Sequence, residues 1–229
     1  MLSELLGILF VLILMVGVPI LSYLTARDPR LRLVPRTGLY FSAVVSQWGL
    51  AVLGIGLILA TRLSFSSAGF QAAPLSAQLR WAALLIAVTL AAMGLSLLLE
   101  RLGWWPDESE LVRLLMPETR REKLWAILIV APTAALCEEF LYRGILLMLL
   151  VQWLHSTPWA WAVTSAAFGL AHAYQGLSGM LRAAALGAML AYPVIHLGTL
   201  YPSMAAHFAV DAVALGWLGP KFLEKNSEA

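Results

Sequence analysis

The chain has 229 residues, 61% of them apolar and only 12% charged, against about 45 to 50% and about 25% in an ordinary soluble domain. That composition excludes a water-soluble globule. The formal charge of +2 follows the loops rather than forming a basic surface, so nucleic acid is not an expected partner, and the single cysteine, Cys137, excludes an intrachain disulfide framework or a Cys-rich zinc site.

Apolar runs recur along nearly the whole chain, each suited to a hydrocarbon core roughly 30 Å thick. They predict an all-α, polytopic integral membrane bundle of about seven transmembrane helices, embedded in a lipid bilayer. In chain order the expected spans are Leu2–Leu24, Leu39–Thr61, Trp81–Leu99, Leu124–Leu154, Trp159–His172, Met180–Ile195 and Thr199–Leu218. The first lacks a basic leading segment and a small-residue cleavage site, and reads as a retained helix rather than a signal peptide. Gly54 and Gly56 in the second span and Gly94 in the third read as helix contact points. If Pro132 breaks the fourth run, its true span is Thr133–Leu154.

Arg27, Arg30, Arg32 and Arg36 follow span one, and Arg101, Arg113, Arg120, Arg121 and Lys123 follow span three. Arg182 follows span five, and Lys221 and Lys225 follow span seven. Arg62 and Arg80 fall on the opposite side, so the positive-inside rule puts the N-terminus outside and the C-terminus in the cytoplasm. Trp81, Trp153 and Trp159 then lie near the outer boundary and Trp104, Trp105, Trp125 and Trp217 near the inner one, as in an aromatic belt. The preference for Arg over Lys and the wealth of Ala and Leu fit a GC-rich bacterial genome, hence a bacterial plasma membrane.

The polar stretch Glu100–Lys123 reads as a cytoplasmic linker, partly an interfacial helix. It divides the chain into a three-span region (1–99), the linker (100–123), a four-helix catalytic core (124–218) and a cytoplasmic tail (219–229). Ionisable residues deep in a membrane are costly and usually mark function. They fall in the core alone, so function is expected there.

Residues four apart on a helix share a face, whereas neighbours point about 100° apart. Glu139 and Arg143 are therefore expected to pair, which neutralises the guanidinium and leaves Glu138 free to face a cavity as the candidate base. His207 and Asp211 present to one side of span seven, and Phe168 stands one turn from His172. At roughly 1.5 Å per residue, Glu138, His172 and Asp211 lie roughly 8, 10 and 12 Å from the cytoplasmic side, with His207 somewhat deeper. The four side chains thus share one stratum.

These residues carry a resemblance. Glu138, Glu139 and Arg143, then Phe168 and His172, then His207 and Asp211, resemble the pattern Glu-Glu-x-x-x-Arg, Phe-x-x-x-His and His-x-x-x-Asn or Asp. That is the pattern of the CAAX protease and bacteriocin-processing (CPBP, or Abi) family of intramembrane endopeptidases. The resemblance implies a glutamate-type protease acting on a membrane-anchored peptide or protein substrate. In it Glu138 and His172 would activate water, His207 and Asp211 would stabilise the oxyanion or the site, and Glu139, Arg143 and Phe168 would support them. An ionised Asp211 cannot donate a hydrogen bond as Asn can; either it is protonated, or it orients His207 and leaves the oxyanion to that imidazole.

No cofactor is expected. Glu138, His172, His207 and Asp211 do form a nitrogen and oxygen ligand set, which leaves a zinc-dependent protease open as an alternative. No His-Glu-x-x-His occurs. Gly176-Leu177-Ser178-Gly179 is similar to the serine motif of rhomboid proteases, but it falls in an expected cytoplasmic turn, where Ser178 reads as a helix N-cap. Cys137 reads as a buried apolar filler and His155 and His196 as interfacial. Two rivals stay open: a non-catalytic immunity or binding protein of the same family, and a proton-coupled carrier.

Overall fold

The computed structural model describes residues 2–61, 63–106 and 109–218. Arg62, Lys221, Lys225 and the expected tail 219–229 lie outside the described residues. Among the described residues eight helices follow one another: α1 (Leu2–Ala26), α2 (Arg36–Thr61), α3 (Leu75–Arg101), the short α4 (Glu110–Leu115), α5 (Arg120–Leu154), α6 (Thr157–Ala171), α7 (Gly176–Leu197) and α8 (Tyr201–Val213). A π-helical turn over 214–218 continues α8. The architecture is all-α; among the described residues the one β contact is an isolated bridge between Phe70 and Thr199.

The helices α1, α2, α3 and α5, together with the stretch Ala173–Leu197 that contains α7, are long and apolar enough to cross a membrane. Expected span five is α6, of 15 residues, and expected span seven is α8 with its π-helical continuation, 201–218; neither is among the five helices that are long and apolar enough to cross a membrane. The seven apolar runs are thus five membrane-length helices with two shorter ones packed among them.

α5 is the axis of the bundle. Half of its most apolar window is buried, against 17 to 28% for the other four, and every residue from Glu139 to Leu150 is buried. α2, α6, α7 and α8 pack around it, and α8 also packs along α3. By contrast α1, α2 and α3 leave Leu5, Leu9, Phe41, Val52, Leu84 and Leu95 exposed, which in lipid is the stable arrangement for an apolar face.

Pro132 does not break α5. A π-helical turn at Ala126–Val130 precedes it and Pro132 enters the first turn of the α-helical segment that follows. The shifted hydrogen-bond register absorbs the missing N–H without ending the helix. A second π-helical stretch, Glu139–Leu146, begins at the pair of glutamates.

The loops assigned by charge to one side meet in space. Arg32 pairs with Glu110 at 2.6 Å and Arg36 with Glu118 at 2.6 Å, while Tyr40 donates to the Leu115 carbonyl at 2.8 Å. Ser109 donates to the Tyr174 carbonyl and the Tyr174 N–H donates to Ser22, both at 3.0 Å. At the opposite end the loop before α3 joins the α7–α8 connection, where the Gln71 N–H bonds the Gly198 carbonyl.

Three expectations about small residues are corrected. Ser178 is not an N-cap: Gly176, at φ +77°, opens α7 two residues earlier, and the buried Ser178 hydroxyl accepts from the Trp105 indole at 2.7 Å. Gly54 is a contact point, since a Cβ there would lie 2.7 Å from Ile145. Gly56 and Gly94 are not, because a Cβ at either meets nothing within 4 Å.

Candidate active site

The Glu139–Arg143 pair forms as expected, with Nη1 to Oε1 at 3.0 Å and both side chains fully buried. The guanidinium carbon also lies over the Phe168 ring, 3.9 Å from its centroid, a cation-π contact. Gly187 on α7 makes the room: a Cβ there would sit 3.3 Å from Arg143 Nη2 and from the Ser165 Cα.

His172 caps α6, the helix that ends at Ala171. Its Nδ1 lies 2.8 Å from the Phe168 carbonyl. A carbonyl only accepts, so Nδ1 carries the hydrogen and Nε2 is left to face the site. His207, buried in the middle of α8, sets its Nδ1 2.8 Å from Glu139 Oε1, which fixes the same tautomer. Glu139 therefore serves both Arg143 and His207. The sequence reading offered Asp211 as the orienter of His207; Asp211 instead lies on the other side of the ring, Oδ2 to Nε2 at 3.6 Å.

Glu138 stands between the two imidazoles. Its Oε2 is 3.8 Å from His172 Nε2 and 3.9 Å from His207 Nε2, and it is buried with no hydrogen-bond partner among the described residues. Its Oε1 is not free, because it accepts from Gln47 Nε2 on α2 at 2.7 Å. Gln47 lies in the region expected to be without function. The signal for it in the sequence is an uncharged amide in an apolar span, which also needs a partner.

Phe168 organises the aromatic wall. It meets His172 at 4.6 Å, Tyr142 at 5.1 Å and His207 edge-on at 6.2 Å between ring centroids. Cys137 is buried, and His155 and His196 are exposed at the far end of the bundle. Among the described residues no three of His, Cys, Asp and Glu have a spacing that would hold a metal ion. A cleft of about 350 Å³ opens beside the site, between the loop after α1, the start of α4 and the turn Ala173–Gly176; Tyr174 lines it and stacks near His172 at 5.9 Å.

The arrangement can hold a proton acceptor, Glu138 Oε2, opposite two imidazole nitrogens of known tautomer. Residues 120–213 match the family model described as type II CAAX prenyl endopeptidase Rce1-like. No curated protein and no solved structure matches the chain.

Proposed function

We propose, from the match of residues 120–213 to the Rce1-like family model, that this chain is an integral membrane peptidase and, more finely, a glutamate-type intramembrane endopeptidase. Its substrate is a membrane-anchored peptide or protein. The observation that carries the reading is the convergence of His172 Nε2 and His207 Nε2 on Glu138 Oε2, at 3.8 and 3.9 Å.

Peptide hydrolysis needs an activated water, an oxyanion stabiliser and an acid for the leaving amine. A water held by Glu138 Oε2 and His172 Nε2 attacks the scissile carbonyl while Glu138 takes its proton. His207, with Glu139 at Nδ1 and Asp211 beside Nε2, has carboxylates to balance an imidazolium and donates from Nε2 to the oxyanion. Glu138 then gives its proton to the amine nitrogen, the C–N bond breaks, and the carbonyl re-forms as the carboxyl of the product. In this reading Asp211 balances charge and Glu139 sets the ring.

The mechanism is written without a metal, with Glu138 Oε2 and His172 Nε2, 3.8 Å apart, as the two groups that hold the water. The proposal puts the protein in a bacterial plasma membrane with the cleft facing the cytoplasm, since the Arg-rich loops line that end.

The experiment is cleavage by purified full-length protein in detergent of a library of single-span reporter peptides, read by mass spectrometry for new termini. Wild-type protein should generate them and Glu138→Gln should not. Equal cleavage by both removes Glu138 as the base. Stoichiometric zinc that tracks activity through chelation and reloading would replace this mechanism with the zinc-dependent one.

A further inference from the structure

Gln47 lies in α2, well outside the matched segment 120–213, yet it holds one oxygen of Glu138. We infer that Gln47 is a positioning residue for the general base, so that the site is incomplete without the amino-terminal helices. This rests on the reading of Glu138 as the base.

The geometry argues it. Gln47 Nε2 reaches Glu138 Oε1 at 2.7 Å, and an ionised carboxylate only accepts, so the amide nitrogen is the atom that faces it. With Oε1 pinned, the carboxylate plane is fixed and Oε2 is turned to the two imidazoles. A glutamate with three rotatable bonds has no such preference by itself. Arg143, the nearest cation on the same helix, does not do this: its Nη1 is held by Glu139, and its buried Nη2 makes no hydrogen bond among the described residues.

A mere tie between helices would not require Gln47. α2 is also joined to α5 by the Trp48 indole, which donates to Thr133 Oγ1 at 3.3 Å. The close approach of Gly54 to Ile145 and Phe140 packs the same pair of helices further along. Trp48 and Gln47 are therefore two adjacent α2–α5 contacts, of which one touches the base and one does not.

The hydrogen bond favours the ionised, proton-accepting form of Glu138. The titratable and charged groups around that carboxyl are Cys137, Glu139, Tyr142 and Arg143 on α5 itself. His172 and Tyr174 face it from the end of α6 and the following turn, and His207 and Asp211 from α8. Removing the Gln47 donor leaves all eight in place, so a change in the pH profile reports the lost hydrogen bond.

The test compares Gln47→Leu and Trp48→Phe in the full-length chain. Cleavage of the reporter peptides by Gln47→Leu should fall in kcat by about 10- to 100-fold, the worth of one charge-assisted hydrogen bond, with KM little changed. The acidic limb of its pH-rate profile should move up by about one to two pH units. Trp48→Phe should lower the melting temperature and leave the limb in place. Independently of activity, the infrared band of the protonated Glu138 carboxyl, identified by its loss in Glu138→Gln, should move to higher wavenumber in Gln47→Leu.

An unmoved band overturns the hydrogen bond, whatever the activity. A shifted band with kcat and pH profile as in the wild type reduces Gln47 to a tie and overturns positioning. If wild-type protein leaves every reporter intact, or Glu138→Gln cleaves at the wild-type rate, the peptidase reading fails and the positioning role with it, even where the band moves.

Discussion

His207 Nδ1 stands 2.8 Å from Glu139 Oε1, the same oxygen that accepts from Arg143 Nη1 at 3.0 Å. One carboxylate oxygen thereby joins α5 to α8 and neutralises a cation that cannot lose its proton. The two adjacent glutamates have opposite duties as a result. Glu139 is locked into the fold, and Glu138 keeps one oxygen for chemistry.

That division predicts opposite outcomes for two isosteric changes. Glu139→Gln leaves the Arg143 charge uncompensated at a fully buried site and weakens the hold on His207. The loss should approach the roughly 3 to 5 kcal/mol typical of a broken buried pair. Glu138→Gln keeps an oxygen for the Gln47 amide and leaves the Glu139–Arg143 pair intact, so it should melt closer to the wild type than Glu139→Gln while losing cleavage. Thermal melts in detergent decide; a large drop for Glu138→Gln with none for Glu139→Gln would reverse the assignment.

Much of this was readable in the chain because the relevant distances lie along single helices. The Glu139–Arg143 and His207–Asp211 spacings follow from helical geometry, whereas the expected depth of Glu138 was counted from a start at Thr133 that the unbroken α5 does not have. Contacts between helices were not readable. Which imidazole nitrogen meets Glu139 depends on how α8 is rotated against α5, and nothing local to either helix fixes that rotation. Gln47 was hidden for the same reason. The π-helical turn before Pro132 and the glycine at positive φ before Ser178 each place a helix feature where residue preferences alone do not.

Glycine contacts give a second prediction. A Cβ at Gly169 would stand 2.8 Å from the Met180 carbonyl oxygen and from the Ala184 Cβ, atoms of α7 that cannot rotate away. Gly169→Ala must push α6 from α7 three residues before His172. It should destabilise by about 1 to 3 kcal/mol and reduce cleavage. Gly94→Ala adds a methyl group in open space and should be neutral or stabilise by up to about 1 kcal/mol. Equal melting of the two variants would refute the packing of α6 on α7.

Asp211 supplies a third. Its Oδ2 lies beyond hydrogen-bonding distance of His207, at 3.6 Å, and Glu139 already sets the ring. Asp211→Asn should therefore keep kcat/KM within about tenfold, since the amide can donate toward the oxyanion that His207 serves. His207→Gln should reduce it far more, by at least the roughly 10² to 10³ of a lost oxyanion donor. If Asp211→Asn is as damaging as His207→Gln, the carboxylate itself is indispensable and the stated division of labour is wrong.

The fourth concerns which side of the membrane the site opens to. Leu31 and Ala173 line the cleft beside Tyr174, at the end where Arg32 and Arg36 pair with Glu110 and Glu118. Ser76 is exposed at the start of α3, at the opposite end. In a Cys137→Ala background, Leu31→Cys and Ala173→Cys should react with a membrane-impermeant thiol reagent from the cytoplasmic side of oriented vesicles. Ser76→Cys should react from the outside. The expectation rests on the rule that Arg-rich loops stay in the cytoplasm, and on the contact of Tyr174, which lines the cleft, with the His172 ring. Labelling of Leu31→Cys and Ala173→Cys from outside would invert the topology and require substrates to present their scissile bond at the outer face.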